Sequence, residues 1–142
     1  MPALFGLIRW LHPDVDIRLS PYEFEFAASG RTRSFSPVLY LSPSGTRPRV
    51  LAAGDAVVPA SKHVRVELLN PASLPPPPWT REYTLTALFR YGLGEVLERG
   101  LFCYPIVHLK SLASVAGVFA GSEEQIFTKA CRKAGAWEVL VC

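Results

Sequence analysis

Two closely spaced glutamates are the first side chains in this sequence that could do chemistry. Glu23 and Glu25 alternate with the aromatic residues Tyr22, Phe24 and Phe26. Because neighbours along a strand point to opposite faces, this pattern predicts a strand with three rings on one face and two carboxylates on the other. Two carboxylates on one face could share acid–base work. We favour the simpler interpretation, in which the alternation places both charges in water, since no functional partner stands nearby in the sequence.

The histidines and cysteines do not have the spacing of a metal or redox site. They are His12, His63, His108, Cys103, Cys131 and Cys142. The histidines are far apart, so each is predicted to be a surface residue or a hydrogen-bonded structural one. An odd number of cysteines with no C-x-x-C pair indicates neither a disulfide framework nor a zinc site. Reduced, mostly buried thiols are typical of a cytoplasmic protein, and we expect that location.

Composition predicts one folded domain over residues 1–142. Hydrophobic residues make up 49% of the chain and charged residues 19%, which is far from the composition of a disordered protein. No run approaches the ~20 apolar residues of a membrane span, so no transmembrane segment is expected. The net charge of +3 is carried by scattered basic residues, and we expect no nucleic-acid partner.

The N-terminal residues 1–11 contain a short apolar run from Leu4 to Ile8. No basic region precedes this run and no small-residue cleavage site follows it, so a signal peptide is not expected. Two alternatives stay open for this segment. It could touch a membrane surface as a short amphipathic element, or it could pack on the core as an ordinary terminus.

The last third of the chain has the clearest local signals. Ser122 and Gln125 have the spacing of a capping box at a helix start, and Gly135 predicts the left-handed residue that ends the helix. Apolar residues recur between these points at spacings of three and four, which predicts one face packed on a sheet. The run Val139–Val141 then predicts a strand that is covered on both faces.

The preceding residues predict a meander of strands, then a helix and another strand. Strands are expected around residues 16–26, 35–41, 50–54 and 64–68, with a turn at Ser29-Gly30. Residues 70–79 include Pro75–Pro78 and predict a stiff, extended connection. A helix from Thr80 to Leu97 with Gly100 as its stop leads into a strand over 102–109. This order predicts an α/β fold: one mixed sheet of about five strands, an antiparallel meander followed by parallel strands, with two or three helices.

With these elements in place, the chain resembles the actin-like ATPase superfamily, most closely the N-terminal half of the bacterial actin homologue MreB. The resemblance is best over Ile126–Val141, where Lys129 to Leu140 is similar to the family's alanine-rich helix, Ala-Gly-Ala turn and following strand. Weaker similarity covers Leu85–Leu97 and Val50–Asp55. The resemblance implies a single actin-like, ribonuclease H-like lobe.

The resemblance also implies where a nucleotide would bind, and there the chain departs from the family. In the family the first strand ends in an Asp-Leu-Gly-Thr-like turn that approaches nucleotide phosphates. Here Arg18 stands where glycine is expected, and Pro21 removes a backbone donor. Asp16 and Ser20 retain suitable chemistry, so they are the candidate cofactor-binding residues of a degenerate phosphate loop. No catalytic residue and no metal ligand is assigned.

Two functions follow from this resemblance. The first is a non-catalytic, actin-like subdomain that binds a protein partner or itself, linked to cell shape or filament assembly, with no cofactor. The alternative is an ATP- and magnesium-binding half-site completed by a second lobe in trans, because ATP hydrolysis by this chain alone is not expected. A third interpretation, an unrelated domain of similar architecture, stays open since a fold does not determine a function.

Overall fold

The computed structural model describes residues 11–43, 49–54, 58–75, 79–97 and 103–142. The elements in these ranges are β1 (Asp14–Leu19), β2 (Phe24–Ala28), β3 (Arg31–Phe35), β4 (Val38–Leu41), β5 (Val50–Ala53), β6 (Val64–Glu67), α1 (Arg81–Val96), β7 (Ile106–Lys110), a 3-10 turn (Leu112–Val115), α2 (Glu123–Lys133) and β8 (Glu138–Val141). The expectations for residues 1–10, for Pro76–Pro78 and for Gly100 as a helix stop lie outside the described residues. The helix itself ends at Val96, with Leu97 as an extended cap.

The main sheet has five strands in the order β3-β2-β1-β7-β8. β1, β2 and β3 form an antiparallel meander, whereas β7 runs parallel to β1, and β8 runs parallel to β7. The Ser29-Gly30 turn joins β2 to β3 with positive φ at both residues, as a tight hairpin requires. The predicted α/β class, with one mixed five-stranded sheet, is confirmed.

A second sheet of three antiparallel strands, in the order β5-β4-β6, was not expected as a separate unit. The sequence predicted one continuous strand from Phe35 to Leu41, but the chain breaks at Ser36 and Pro37. Proline has no N–H to give to a strand ladder, so the chain leaves the first sheet there. The Pro37 carbonyl instead accepts a hydrogen bond from the Leu68 N–H at 2.9 Å, which ties the new sheet to the break.

Helices α1 and α2 pack on one face of the main sheet, and the core lies between the helices and the sheet. Val15, Ile17 and Leu19 of β1 point into this core and are at most 1% exposed. Four buried phenylalanines fill the space between helices and sheet, namely Phe24, Phe26, Phe89 and Phe127. Burial of this many large apolar side chains is the main favourable contribution to the free energy of folding.

Gly92 lets helix α1 approach the sheet closely. A Cβ atom on Gly92 would stand 2.3 Å from Cζ of the Phe26 ring, whereas a Cβ on Gly94 would meet nothing within 4 Å. The sequence predicted that the glycines of this helix weaken it unless close packing needs them. Close packing requires glycine at position 92 but not at position 94.

The opposite face of the main sheet carries polar side chains. They are Asp14, Asp16, Arg18, Glu25, His108 and Lys110, all exposed or half-buried. We call this the polar face. It follows from the strict alternation of β1, whose odd-numbered residues enter the core and whose even-numbered residues do not.

Helix α2 differs from its prediction at the start and agrees with it at the end. Ser122 makes no side-chain capping bond, so the predicted capping box with Gln125 is wrong. The Glu123 carboxylate turns back instead and accepts a hydrogen bond from the Gly117 N–H. At the other end Gly135 has a φ of +118°, and Ala136 N–H donates to Cys131 O at 3.1 Å. This is the bond pattern of a Schellman motif closed by glycine.

Two further expectations are corrected. Tyr22 lies in the turn before β2 and is 85% exposed, so two rings rather than three enter the core from this segment. β8 is the outer strand of the main sheet, and only Val139 of its four residues is buried. The predicted burial on both faces fails because neither the polar face nor the outer edge is covered in the part of the chain that the structure describes.

Candidate functional site

Asp16 lies at the centre of the polar face, where its carboxylate is held by a lysine from the neighbouring strand. The Lys110 Nζ atom is 3.0 Å from Asp16 Oδ2. The two side chains are 36% and 46% exposed respectively, so the pair is open to water and contributes about 0–1 kcal/mol to stability. A cation that approached Asp16 would have to compete with an ammonium group already in contact.

A hydrogen bond between His108 and Asp14 lies beside this ion pair. His108 Nε2 is 2.9 Å from Asp14 Oδ1, and His108 stands opposite Asp16 in the register of β1 and β7. Both aspartates of β1 therefore have basic partners on β7. His12 and His63 are also hydrogen-bonded, each to a backbone carbonyl, as expected for structural histidines.

Ser20 makes hydrogen bonds within the turn between β1 and β2. Its Oγ donates to Glu23 O at 2.8 Å and accepts from Glu23 N–H at 3.0 Å. The Ser20 N–H donates to the same Glu23 carbonyl at 3.1 Å. Since Pro21 has no N–H, three of the four turn residues have no amide to offer a phosphate. Phosphate loops work by pointing several such amides at the ligand, which this turn does not do.

Arg18 and Glu25 complete the charges near that turn. Arg18 is exposed and stands opposite Glu25 on one side and Lys110 on the other. Glu25 lies on the polar face as predicted, but Glu23 lies in the turn, outside β2. The two glutamates are thus not presented together by one strand.

The two predicted site residues, Asp16 and Ser20, contact different partners and do not meet each other. Asp16 contacts Lys110, while Ser20 contacts Glu23, and the two residues are about 13 Å apart along an extended strand. Their role as cofactor-binding residues stays a prediction. Lys110 was missed as a partner because it is 94 residues away in sequence. Only the β1–β7 register brings it close, and no local pattern in the sequence gives that register.

A different surface, also missed, lies along β8. Large apolar side chains are exposed there: Tyr104 at 52%, Trp137 at 65%, Leu140 at 41% and Val141 at 42%. Leu140 and Val141 project from opposite faces of β8, Leu140 on the side of the polar face. We call these four residues, which border the outer edge of the sheet, the edge surface. The Trp137 N–H donates to Pro105 O at 2.8 Å, next to Tyr104, and the His12 ring lies 4.6 Å from the Trp137 ring. These contacts fix Trp137 at the start of β8.

The described residues hold no cluster of three or more histidine, cysteine, aspartate or glutamate side chains that could bind a metal ion. None of the helices described has the length and apolar character needed to cross a bilayer. The chain matches no protein-family model, and no curated protein matches it.

Proposed function

We propose that this chain is a non-catalytic subdomain, similar to those of actin and MreB, that acts as a protein-interaction module. Its place is the cytoplasm, and its role is in cell shape or filament assembly, as the resemblance implies. The observation that carries the proposal is the edge surface, where Trp137, Leu140 and Val141 are between 41% and 65% exposed on the outer strand of the main sheet.

An outer strand of this kind is suited to strand addition by a partner. Alternate residues of β8 turn their N–H and C=O groups away from β7, and no described strand pairs with them. Proteins usually protect such an edge with charges, proline or a bulge. β8 has one charge, Glu138, and neither proline nor a bulge. A partner strand could take main-chain bonds there, while Leu140 and Val141 supply apolar contact.

The turn after β1 supports the non-catalytic part of the proposal. The amides of Ser20 and Glu23 are bonded within the turn, Pro21 has none, and Lys110 Nζ already contacts the Asp16 carboxylate. Magnesium and a triphosphate at this place would have to displace these contacts. The cytoplasmic location is supported by Cys131, which is buried and not in a disulfide.

Charged substitutions on the edge surface test partner binding. The double variant Leu140→Lys/Val141→Lys is compared with Val58→Lys/Leu74→Lys, which adds the same charge at two exposed apolar residues elsewhere. Proteins captured from the source cell are identified by mass spectrometry, and each candidate is then titrated against both purified variants. We expect a partner that binds the wild type and the control but not the edge variant. Light scattering identifies self-association in the same way. Equal binding by all three proteins contradicts the proposal.

Nucleotide titration tests the alternative of a half-site. ATP with magnesium is added while backbone amide shifts of residues 16–20 are followed by NMR. We expect no saturable shift, because the amides of Ser20 and Glu23 are already bonded. Localised, saturable shifts would instead favour the half-site completed by a second lobe in trans.

A further inference from the structure

A cleft on the helical side of the molecule is lined mainly by aromatic, apolar and basic side chains. It has a volume of about 530 Å³ and is lined by Trp79, Tyr83, Ala87, Arg90, Tyr91 and Lys133, among others. Five of these six residues belong to α1 or to the segment just before it, and Lys133 ends α2. The cleft is separate from both the polar face and the edge surface.

The aromatic residues of the cleft form a row along α1. Tyr83, Ala87 and Tyr91 follow each other at intervals of four, so they share one side of the helix. Tyr83 and Tyr91 are about 12 Å apart along the axis, and the small Ala87 leaves a depression between them. A polyproline II helix rises about 3.1 Å per residue, so a segment of about four residues spans the distance between the two tyrosines.

The charges at the cleft favour an acidic ligand. Arg90 is exposed, and one of its N–H groups donates to the Lys133 carbonyl at 3.1 Å. No carboxylate of the described residues lies within ion-pair distance of Arg90. Lys133 is already neutralised, since its Nζ lies 2.8 Å from Glu82 Oε1, and this ion pair lowers the pKa of Glu82. Among the described residues that line the cleft, Arg90 is therefore the cation without a carboxylate partner.

Trp79 adds an unused hydrogen-bond donor. Its indole N–H is buried and has no hydrogen-bond partner among the residues that the structure describes. Buried donors are nearly always paired, because an unpaired one loses its bond to water without replacement. The ring must turn before this N–H can reach a ligand, and side-chain rotations of this kind are common at interfaces.

We infer that this cleft binds an extended, proline-containing acidic peptide segment of a partner protein. Proline rings pack on Trp79, Tyr83 and Tyr91, a carboxylate pairs with Arg90, and a peptide carbonyl accepts from the turned Trp79 indole. Aromatic-lined grooves select such segments because a polyproline II peptide loses little entropy on binding. The inference does not depend on the edge surface.

NMR of the indole N–H groups tests this binding directly. The probe is an acetylated, amidated peptide of four Pro-Glu repeats, and the Trp79 signal is assigned with Trp79→Phe. We expect a saturable downfield shift of that signal at probe concentrations up to about 10 mM, which covers a Kd of about 1 mM. No saturable shift in this range overturns the inference.

Matched probes and variants separate the contributions. Arg90→Gln is expected to weaken binding about threefold to fivefold, as loss of an exposed ion pair worth up to about 1 kcal/mol does. Arg132→Gln removes the same charge from an exposed residue of α2 outside the cleft and should leave binding within about twofold. Four Pro-Gln repeats lack carboxylates, so they should bind the wild type about as weakly as the Pro-Glu probe binds the Arg90→Gln variant. Four Gly-Glu repeats should bind the wild type more weakly than the Pro-Glu probe does. Equal effects of the two arginine variants, or equal binding of the three probes, contradict the inference.

The edge variant keeps this test distinct from the proposed function. Leu140→Lys/Val141→Lys should bind the Pro-Glu probe as the wild type does, because β8 does not line the cleft. Loss of probe binding in that variant would contradict a separate site. Failure of the probe to bind the wild type leaves the partner experiment on the edge surface unaffected.

Discussion

Replacing Gly92 by alanine tests the close contact between α1 and the main sheet. The added Cβ atom would stand 2.3–2.5 Å from three atoms at the tip of the Phe26 ring. Phe26 is fully buried and its ring is held between Phe35, at 5.2 Å between centroids, and Phe89, at 6.2 Å. The ring has little room to move, so the helix must shift away from β2.

Two opposing contributions set the size of the effect. Alanine favours a helix over glycine by about 1 kcal/mol. Overpacking in a filled core costs about 1–3 kcal/mol, and the confined Phe26 ring places this site at the upper end. We therefore expect Gly92→Ala to lower the free energy of unfolding by about 1–2 kcal/mol. Gly94→Ala, with nothing within 4 Å, should raise it by about 0.5–1 kcal/mol.

Urea unfolding of the two single variants measures this difference, and a double variant identifies its cause. Phe26→Leu shortens the side chain that meets the new Cβ. The cost of Gly92→Ala should therefore fall by about 1 kcal/mol or more in the Phe26→Leu background, which is the coupling expected of residues in contact. The reasoning is refuted if Gly92→Ala is as stable as Gly94→Ala, or if the double variant shows no coupling.

Three other substitutions have clear expected outcomes. Gly54 has a φ of +65° and its Cβ would stand 2.6 Å from Phe35 Cβ, so Gly54→Ala should cost about 2 kcal/mol or more in urea unfolding. Burial raises the pKa of Cys131 above its ordinary value of 9.0, so the unfolded thiol ionises first and stability falls as pH rises above about 9. Without this thiol, the free energy of unfolding of Cys131→Ala should depend less on pH, by up to about one proton per molecule, between about pH 8.5 and 10. The same pH dependence in the variant and the wild type would contradict the burial argument. Lys110→Met should change the free energy of unfolding by less than about 1 kcal/mol, because its pair with Asp16 is open to water, and a larger loss would mean that the pair is structural.

Local patterns in the sequence predicted those elements whose signals lie within a few residues. Thr80 accepts a hydrogen bond from the Tyr83 N–H and begins α1, and Gly135 ends α2, both as expected. The turn at Ser29-Gly30 also follows from residue type alone. These features depend on backbone conformations and short-range bonds, which the residues themselves determine.

Contacts between distant segments could not be predicted in the same way. Lys110 reaches Asp16 only through the parallel register of β1 and β7. Glu123 replaces Ser122 at the start of α2 because the Gly117 N–H is within its reach, a tertiary contact that outweighs the local capping pattern. The apolar residues of β8 predict a buried strand, but β8 lies at the edge of the sheet, where Leu140 and Val141 are exposed. In each case the outcome depends on how segments are placed in three dimensions, which the local residue pattern does not determine.

The strand order has a consequence for how the chain is made. β1 lies in the middle of the main sheet, but one of its two neighbours is β7, whose last residue is Lys110. Roughly 90 residues separate the end of β1 from the end of β7, and synthesis at 5–20 residues per second takes about 5–18 s to cover them. During that time the emerging β1–β3 meander has an unpaired edge at β1, and strands of other nascent chains could pair with this edge. The charges at Asp14, Asp16 and Arg18 reduce that hazard before Lys110 and His108 leave the ribosome.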